Sequence, residues 1–176
     1  VALFFSFFSA SAPRESDPGQ PESAAPAVAQ EQSKDASIVA EPTDEEVMYR
    51  VLAAEYLGSE GDFEGAVSDY LEAAMRSDDP EIARRATRVA YAAEAWQQAA
   101  MAADRWALLD PSNVAAHESA AIAMLLVGDY LGAEYQIIKI LDLMSDSTEA
   151  WMMVSNLLSQ AGSPENADEM LEQILA

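Results

Sequence analysis

The sequence contains no cysteine and only one histidine, His117, among its 176 residues. The lack of cysteine excludes disulfides, thiol nucleophiles and zinc–thiolate sites, but it does not locate the protein, because such a chain folds equally well in the cytosol and the periplasm. A single histidine leaves any histidine-based triad dependent on that one ring. We predict a structural, partly buried role for His117, and we predict no enzyme, no cofactor and no metal site.

Basic residues are also scarce, since nine Lys and Arg stand against 31 Asp and Glu. Residues 46–176 hold 23 of these acids and seven of the bases, a net charge of −16. Because phosphate binding depends on Lys and Arg, the excess argues against nucleic acid or an anionic membrane as a partner. Solubility is the simplest explanation, and a salty habitat would produce the same bias. No stretch approaches the roughly 18 apolar residues that a membrane-spanning helix needs.

The first 44 residues differ in composition from the rest. Residues 13–44 hold five of the eight prolines and show no apolar periodicity, so we predict a disordered linker there. Residues 1–12 form an apolar run that ends in small residues, which is typical of the remnant of a secretory signal whose charged start is missing. The alternatives are a sticky disordered tail and a misread start codon. No cysteine is present to carry a lipid, so no lipoprotein anchor is predicted from these residues.

Four alanines recur at spacings of 33, 34 and 34 residues: Ala66, Ala99, Ala133 and Ala167. A turn precedes each alanine, and a bulky or cyclic residue stands three positions before it: Phe63, Trp96, Tyr130 and Pro164. A period of about 34 residues is typical of a helix–turn–helix solenoid. Where two helices of one hairpin cross closely, only a small side chain fits, and an aromatic residue three positions earlier can cover the turn.

Other positions follow the same register. The second helices carry Tyr70 and Trp106, the second repeat closes with Leu109-Asp110-Pro111, and the fourth opens with Trp151. In these features, residues 45–176 resemble the tetratricopeptide repeat family. The resemblance implies an all-α, right-handed α-solenoid of four repeats, at about 45–78, 79–111, 112–145 and 146–176. Helices are predicted at about 45–59, 62–75, 80–93, 96–109, 113–127, 130–143, 147–160 and 164–175.

Arginines are concentrated in the second repeat, where Arg84 and Arg88 lie four residues apart on one helix face. In the family that this chain resembles, the first helices line a concave groove, and the register places these two arginines there. It also places the following residues there: Tyr91, Glu118, Ile122, Leu125, Met152 and Asn156. One hypothesis is that the arginines receive a carboxylate of a partner while apolar residues take its side chains. The alternative is that they pair with Glu55, Glu81 or Glu118 and neutralise an acidic surface.

Three runs, at residues 49–55, 70–74 and 83–90, look like the first two repeats of proteobacterial envelope proteins in which a signal and a proline-rich tether precede a repeat array. One group of these is similar to outer-membrane lipoproteins that bind and activate a periplasmic C-terminal processing protease. The resemblance implies a non-catalytic adaptor in the periplasm or on the periplasmic face of the outer membrane. Its implied partner is a protein or peptide, with no nucleic acid and no small-molecule substrate.

The alternative function is a cytosolic assembly module, such as a co-chaperone or a pilus or secretion accessory protein. In that case residues 1–12 are not a signal. The fourth repeat stops at Ala176 without the polar cap that solenoids need, and the chain begins with Val1 instead of methionine. We therefore expect the sequence to be a fragment of a longer array.

Overall fold

The computed structural model describes residues 44–145 and 147–175, and the regular structure of this part of the chain is entirely α-helical. Eight helices follow one another within it: α1 (Asp44–Glu60), α2 (Phe63–Arg76), α3 (Pro80–Ala92), α4 (Trp96–Leu109), α5 (Val114–Val127), α6 (Tyr130–Leu143), α7 (Thr148–Leu158) and α8 (Pro164–Ile174). Consecutive helices pack against one another as in a solenoid, so the predicted all-α solenoid is confirmed. The predicted signal remnant and nearly all of the predicted linker lie outside the described residues.

The helix ends agree with the predicted ends to within about two residues, because local capping signals define them. Asp62 and Asp129 cap α2 and α6, where their side chains accept hydrogen bonds from the backbone N–H groups of Gly65 and Gly132. A β-carbon at Gly132 would lie 2.5 Å from a carboxylate oxygen of Asp129. Glycine at this position therefore makes room for the capping aspartate. None of the helices in residues 44–145 and 147–175 is both long and apolar enough to cross a membrane.

Alanine dominates the interior of the repeats. In the part of the chain that the structure describes, 18 of the 31 buried apolar residues are alanines, and this allows the helices to approach closely. Three of the four repeating alanines, Ala66, Ala99 and Ala133, are at most 1% exposed. The 34-residue period predicts a small residue where the two helices of each hairpin cross, and these three alanines confirm it.

The fourth hairpin is built differently. Ala167 is only half-buried, and α7 and α8 approach each other less closely than the helices of the earlier hairpins do. The buried residues here are larger: α7 buries Val154, Leu157 and Leu158, and α8 buries Met170. The wider spacing leaves Ala167 partly exposed instead of enclosed between the two helices.

The aromatic residue before each repeating alanine does not have the same environment in every repeat. Trp96 packs edge-on against Tyr91 of α3, with ring centroids 5.7 Å apart. Phe63, the equivalent residue one repeat earlier, is 59% exposed and covers little. Trp96 packs on Tyr91, which lies five residues before it in the sequence. The residue five positions before Phe63 is Gly58, which has no ring for Phe63 to pack on. Tyr130 is half-buried and links two hairpins, because its hydroxyl oxygen accepts a hydrogen bond from Asn166 at 2.8 Å.

Arg105 connects the first two hairpins. From α4 its guanidinium donates to the backbone carbonyl oxygens of Ala74 and Ser77, at 3.3 and 2.7 Å, and it forms an ion pair with Asp78. The carbonyls at the end of a helix have no partner within that helix. Here a side chain from the next hairpin satisfies two carbonyl groups at the end of α2.

Candidate functional site

Two adjoining clefts lie between α1 and α3, with α2 behind them. Their volumes are about 520 and 370 Å³, and both are lined by Tyr70, Arg85 and Arg88. We call the pair the arginine cleft, because Arg84, Arg85 and Arg88 stand together along its α3 side. Glu55 of α1 faces them across the first cleft, and Asp79 and Glu81 line the second.

Glu55 holds the floor and one wall of the arginine cleft together. One of its carboxylate oxygens accepts a hydrogen bond from the Tyr70 hydroxyl and also lies 3.2 Å from a guanidinium nitrogen of Arg85. Burial, together with the hydrogen bond to Glu55, raises the pKa of Tyr70 to about 12. The phenol therefore stays protonated and remains a donor throughout the physiological range.

The three arginines of the cleft differ in their pairing. Arg85 pairs with Glu55, and the Nε atom of Arg84 donates to Glu81 at 3.1 Å. Within residues 44–145 and 147–175, Arg88 has no acidic partner, although it lines both clefts and is exposed. An unpaired guanidinium with five donors in a fixed planar fork matches the geometry of a carboxylate.

Other arginines nearby are already committed to structure. Arg50 of α1 pairs with Asp69 at 2.7 Å and with Glu72 at 3.0 Å, and Arg76 of α2 pairs with Glu72 at 2.7 Å. The Arg50 pairs join α1 to α2, and the Arg76–Glu72 pair lies within α2. Neither arginine lines the arginine cleft. The charge of the arginine cleft is suited to an anion.

No protein-family model matches the chain. A curated TPR repeat-containing protein of Pseudomonas aeruginosa is 29% identical to it over 133 residues, which is 73% of this chain and 22% of that protein. The name of this relative agrees with the helix order and the 34-residue period seen in this chain, both of which are typical of tetratricopeptide repeats. In helix order and in the 34-residue period, the described helices resemble a tetratricopeptide repeat array. Arrays of this kind are scaffolds for protein–protein interaction, and they use extended surfaces built by successive repeats.

The tetratricopeptide register brings only two of the eight predicted groove residues into the arginine cleft, namely Arg84 and Arg88. Tyr91 lies further along α3, where its hydroxyl donates to the backbone carbonyl oxygen of Ser119 on α5 at 2.7 Å. Burial raises the pKa of Tyr91 to about 12, and the nearby negative charge of Glu118 adds to this effect. Tyr91 therefore joins two first helices of the array and is engaged in packing.

The other predicted groove residues lie on α5 and α7. Glu118 and Ile122 are half-buried on α5, and Met152 and Asn156 are exposed on α7. Leu125 is instead buried in the core beside Met124. The reason is that Leu125 stands one repeat after Tyr91, at a position whose side chain packs between hairpins.

Sequence reasoning assigned Tyr70 to packing and did not select Arg85. The i,i+4 spacing drew attention to Arg84 and Arg88, but Arg85 and Arg88 are three residues apart and also share a face. Tyr70 is buried, as predicted, yet its hydroxyl reaches the cleft floor. Of the other predicted packing residues, Trp106 is buried and Trp151 is half-buried against the core that α5 to α8 share.

His117 is buried, which confirms its predicted place in the packing of α5 against α6. Its Nδ1 atom lies 2.6 Å from the side-chain oxygen of Gln136, and its Nε2 atom lies 3.0 Å from the carbonyl oxygen of Pro111. Both ring nitrogens are thus occupied by protein groups. In the described part of the array, no group of three His, Asp or Glu side chains is placed to hold a metal ion.

Proposed function

We propose that this protein is a non-catalytic scaffold that binds a partner protein or peptide by receiving one of its carboxylates at Arg88. The observation that carries this proposal is the guanidinium of Arg88 at the junction of the two clefts, which has no acidic partner in the part of the chain that the structure describes, whereas the other nearby arginines are paired. Solubility alone explains the excess of acidic side chains in this protein, but it does not explain an arginine that lies beside an open cleft without an acidic partner in the described residues.

The surroundings of Arg88 support this use. The buried Tyr70 hydroxyl donates to Glu55, so part of the cleft floor is ordered before a partner binds. The first cleft also has an apolar side formed by Ala54, Ala66, Val89 and Ala92. A peptide C-terminus or an acidic side chain would reach the guanidinium, while a small apolar residue beside it would lie against these side chains.

Titration of the chain with fluorescent acidic C-terminal peptides tests the proposal. We expect Arg88→Glu to weaken binding by more than about tenfold, because a charge-assisted hydrogen bond contributes roughly 1.5–3 kcal/mol and repulsion would replace it. Arg84→Glu should have a smaller effect, since Arg84 is already paired with Glu81.

Lys139→Glu is the matched control, because it makes the same change of charge on α6, far along the chain from the arginine cleft. Equal losses in Arg88→Glu and Lys139→Glu would mean that bulk charge governs binding. Unchanged affinity in Arg88→Glu would remove Arg88 from the site. Either result would refute the proposal.

We further propose that the scaffold acts in the bacterial cell envelope, as an adaptor or activator of a periplasmic protease acting on cell-wall enzymes. The support is the resemblance of residues 49–55, 70–74 and 83–90 to envelope repeat proteins, the composition of residues 1–44, and a bacterial relative of the same repeat type. Membrane attachment would then depend on an anchor that these residues do not encode.

Fractionation of a tagged full-length protein tests the envelope role. Recovery with the periplasm or outer membrane, followed by capture of a protease from periplasmic extract in an Arg88-dependent way, is the expected result. Recovery in the cytosol alone would overturn it and favour a cytosolic assembly module, such as a co-chaperone or a pilus or secretion accessory protein.

A further inference from the structure

A second cleft lies between α4 and α6, the second helices of adjacent hairpins. Its volume is about 580 Å³, and residues of α4, α5, α6 and the loop at Pro111 line it. We call it the outer cleft. It shares no lining residue with the arginine cleft, which α1, α2 and α3 form. The two are therefore separate sites on the same array.

The floor of the outer cleft is polar and internally satisfied. Gln136 and His117 are both buried there, and Gln136 also donates to Asp104 of α4 at 3.0 Å. No buried side-chain nitrogen or oxygen in the described residues lacks a hydrogen-bond partner. The floor thus needs no ligand to complete it, and its bonding across α4, α5 and α6 holds the cleft open in a fixed shape.

The rim of the outer cleft is apolar and exposed. Leu108 of α4 is 68% exposed, and Tyr135 and Leu143 of α6 are exposed on the other side. Leu131, Tyr135 and Ile138 have i, i+4, i+7 spacing, so α6 presents one continuous apolar stripe beside the cleft. Exposed apolar surface of this kind, gathered around a cleft in a highly charged chain, is typical of an interaction site.

The geometry favours a helix as the occupant. An extended peptide gains affinity from main-chain hydrogen bonds to a sheet edge, and the interior of a helix offers no free backbone groups for this. A channel between two neighbouring helices instead accepts the ridge of side chains of a third helix. Apolar residues spaced at i, i+4 and i+7 on that helix would contact Leu108 and Tyr135 together.

The acidic residues of the outer cleft favour an occupant that carries positive charge. Asp104 and Asp142 line it from opposite helices, and Asp142 has no ion-pair partner in residues 44–145 and 147–175. The single cation, Lys139, lies over the ring of Tyr135 at 5.4 Å from the ring centroid. A second copy of this acidic chain would bring like charge to the cleft. A basic helix would place its cations beside the two aspartates.

We infer that the outer cleft binds an amphipathic helix of a partner protein, with an apolar stripe flanked by Lys or Arg. This site would allow the array to hold one partner at the arginine cleft and another on its second helices. The inference does not depend on carboxylate binding at Arg88, because the two clefts and the charges they favour are different.

Calorimetric titration of the whole chain with a synthetic Leu/Lys helix of about 18 residues, long enough to be helical, tests this site. A matched peptide carries Glu in place of Lys. In the Arg88→Glu chain, where the arginine cleft can no longer receive a carboxylate, we expect only the basic peptide to bind, and we expect Leu108→Ser and Tyr135→Ser each to weaken it by about tenfold or more, as for central interface anchors. Asp142→Asn should weaken binding and reduce its salt dependence.

Leu52→Ser is the matched control, because Leu52 is 61% exposed on α1 and lies outside the outer cleft. Arg88→Glu controls for the arginine cleft, and thermal melts establish that each variant is folded. The inference fails if neither peptide binds, if the acidic peptide binds the Arg88→Glu chain as tightly as the basic one does, or if Leu52→Ser costs as much affinity as Leu108→Ser. Loss of binding in Arg88→Glu would also overturn it, because the peptide would then occupy the other site.

Discussion

The Nδ1 atom of His117 lies 2.6 Å from the side-chain oxygen of Gln136, across the buried interface between α5 and α6. Gln136 extends this contact to Asp104, so one amide group connects three helices of two hairpins. Buried polar groups are costly when they lose a partner, and this makes Gln136 a sensitive position.

We expect Gln136→Leu to lower the free energy of unfolding by about 1–3 kcal/mol, since it leaves a buried ring nitrogen of His117 without its partner. Urea denaturation monitored by circular dichroism measures the change. The double variant His117→Leu/Gln136→Leu removes both polar groups and should cost less than the sum of the two single changes. Additive costs in this cycle would mean that the two side chains do not stabilise each other.

Substitution of the repeating alanines should show where the helices cross most closely. Ala133→Leu adds three carbons to a fully buried position and should destabilise the array by about 1–3 kcal/mol through overpacking. Ala167→Leu should cost much less, because Ala167 is half-buried in the wider fourth hairpin. Thermal melts of both variants test this, and equal losses of stability would contradict the wider packing of α7 and α8.

Stability should fall at high pH because of Tyr70 and Tyr91. Both have a pKa of about 12 in the folded chain, whereas tyrosine in an unfolded chain has a pKa near ~10. The stabilisation that the two protonated tyrosines provide is fully present below the pKa of the unfolded chain, near ~10. It is lost as the pH rises from there through the pKa of about 12 in the folded chain. A shift of this size corresponds to roughly 2–3 kcal/mol for each tyrosine.

The free energy of unfolding, measured in urea at several pH values above neutrality, checks this dependence. Tyr70→Phe and Tyr91→Phe should each flatten the decline in the alkaline range. Tyr49→Phe is the control, because Tyr49 is exposed on α1 and the change removes a hydroxyl of the same kind. A decline as steep in Tyr70→Phe as in the parent chain would show that burial of this phenol does not produce it.

The sequence was sufficient for the helices, because the period of 34 residues and the capping residues Asp62, Asp129 and Ser163 are local signals. It did not reveal the exposed position of Phe63, since that depends on what a preceding helix offers at Gly58. It also missed the outer cleft, because an exposed leucine such as Leu108 is indistinguishable from an ordinary surface leucine until its neighbours are known.

The candidate site was only partly predictable for a related reason. Helical spacing identifies residues on one face, and it placed Arg84 and Arg88 together correctly. It does not decide which of the possible pairs form, and within the described residues pairing separates Arg88, which has no acidic partner, from Arg84 and Arg85, which have one. The Arg84–Glu81 pair is local to α3, whereas the Arg85–Glu55 pair depends on how α2 positions α1 and α3 relative to each other.

The contacts of Arg105 have a consequence for how the chain can be divided. The sequence repeat ends near Asp78, but the carbonyl groups of Ala74 and Ser77 accept hydrogen bonds from a side chain that lies 31 and 28 residues later in the chain. A truncation placed at the repeat boundary would leave these groups without Arg105. We therefore expect the first two hairpins to fold as a single cooperative unit, larger than the unit that the sequence repeats.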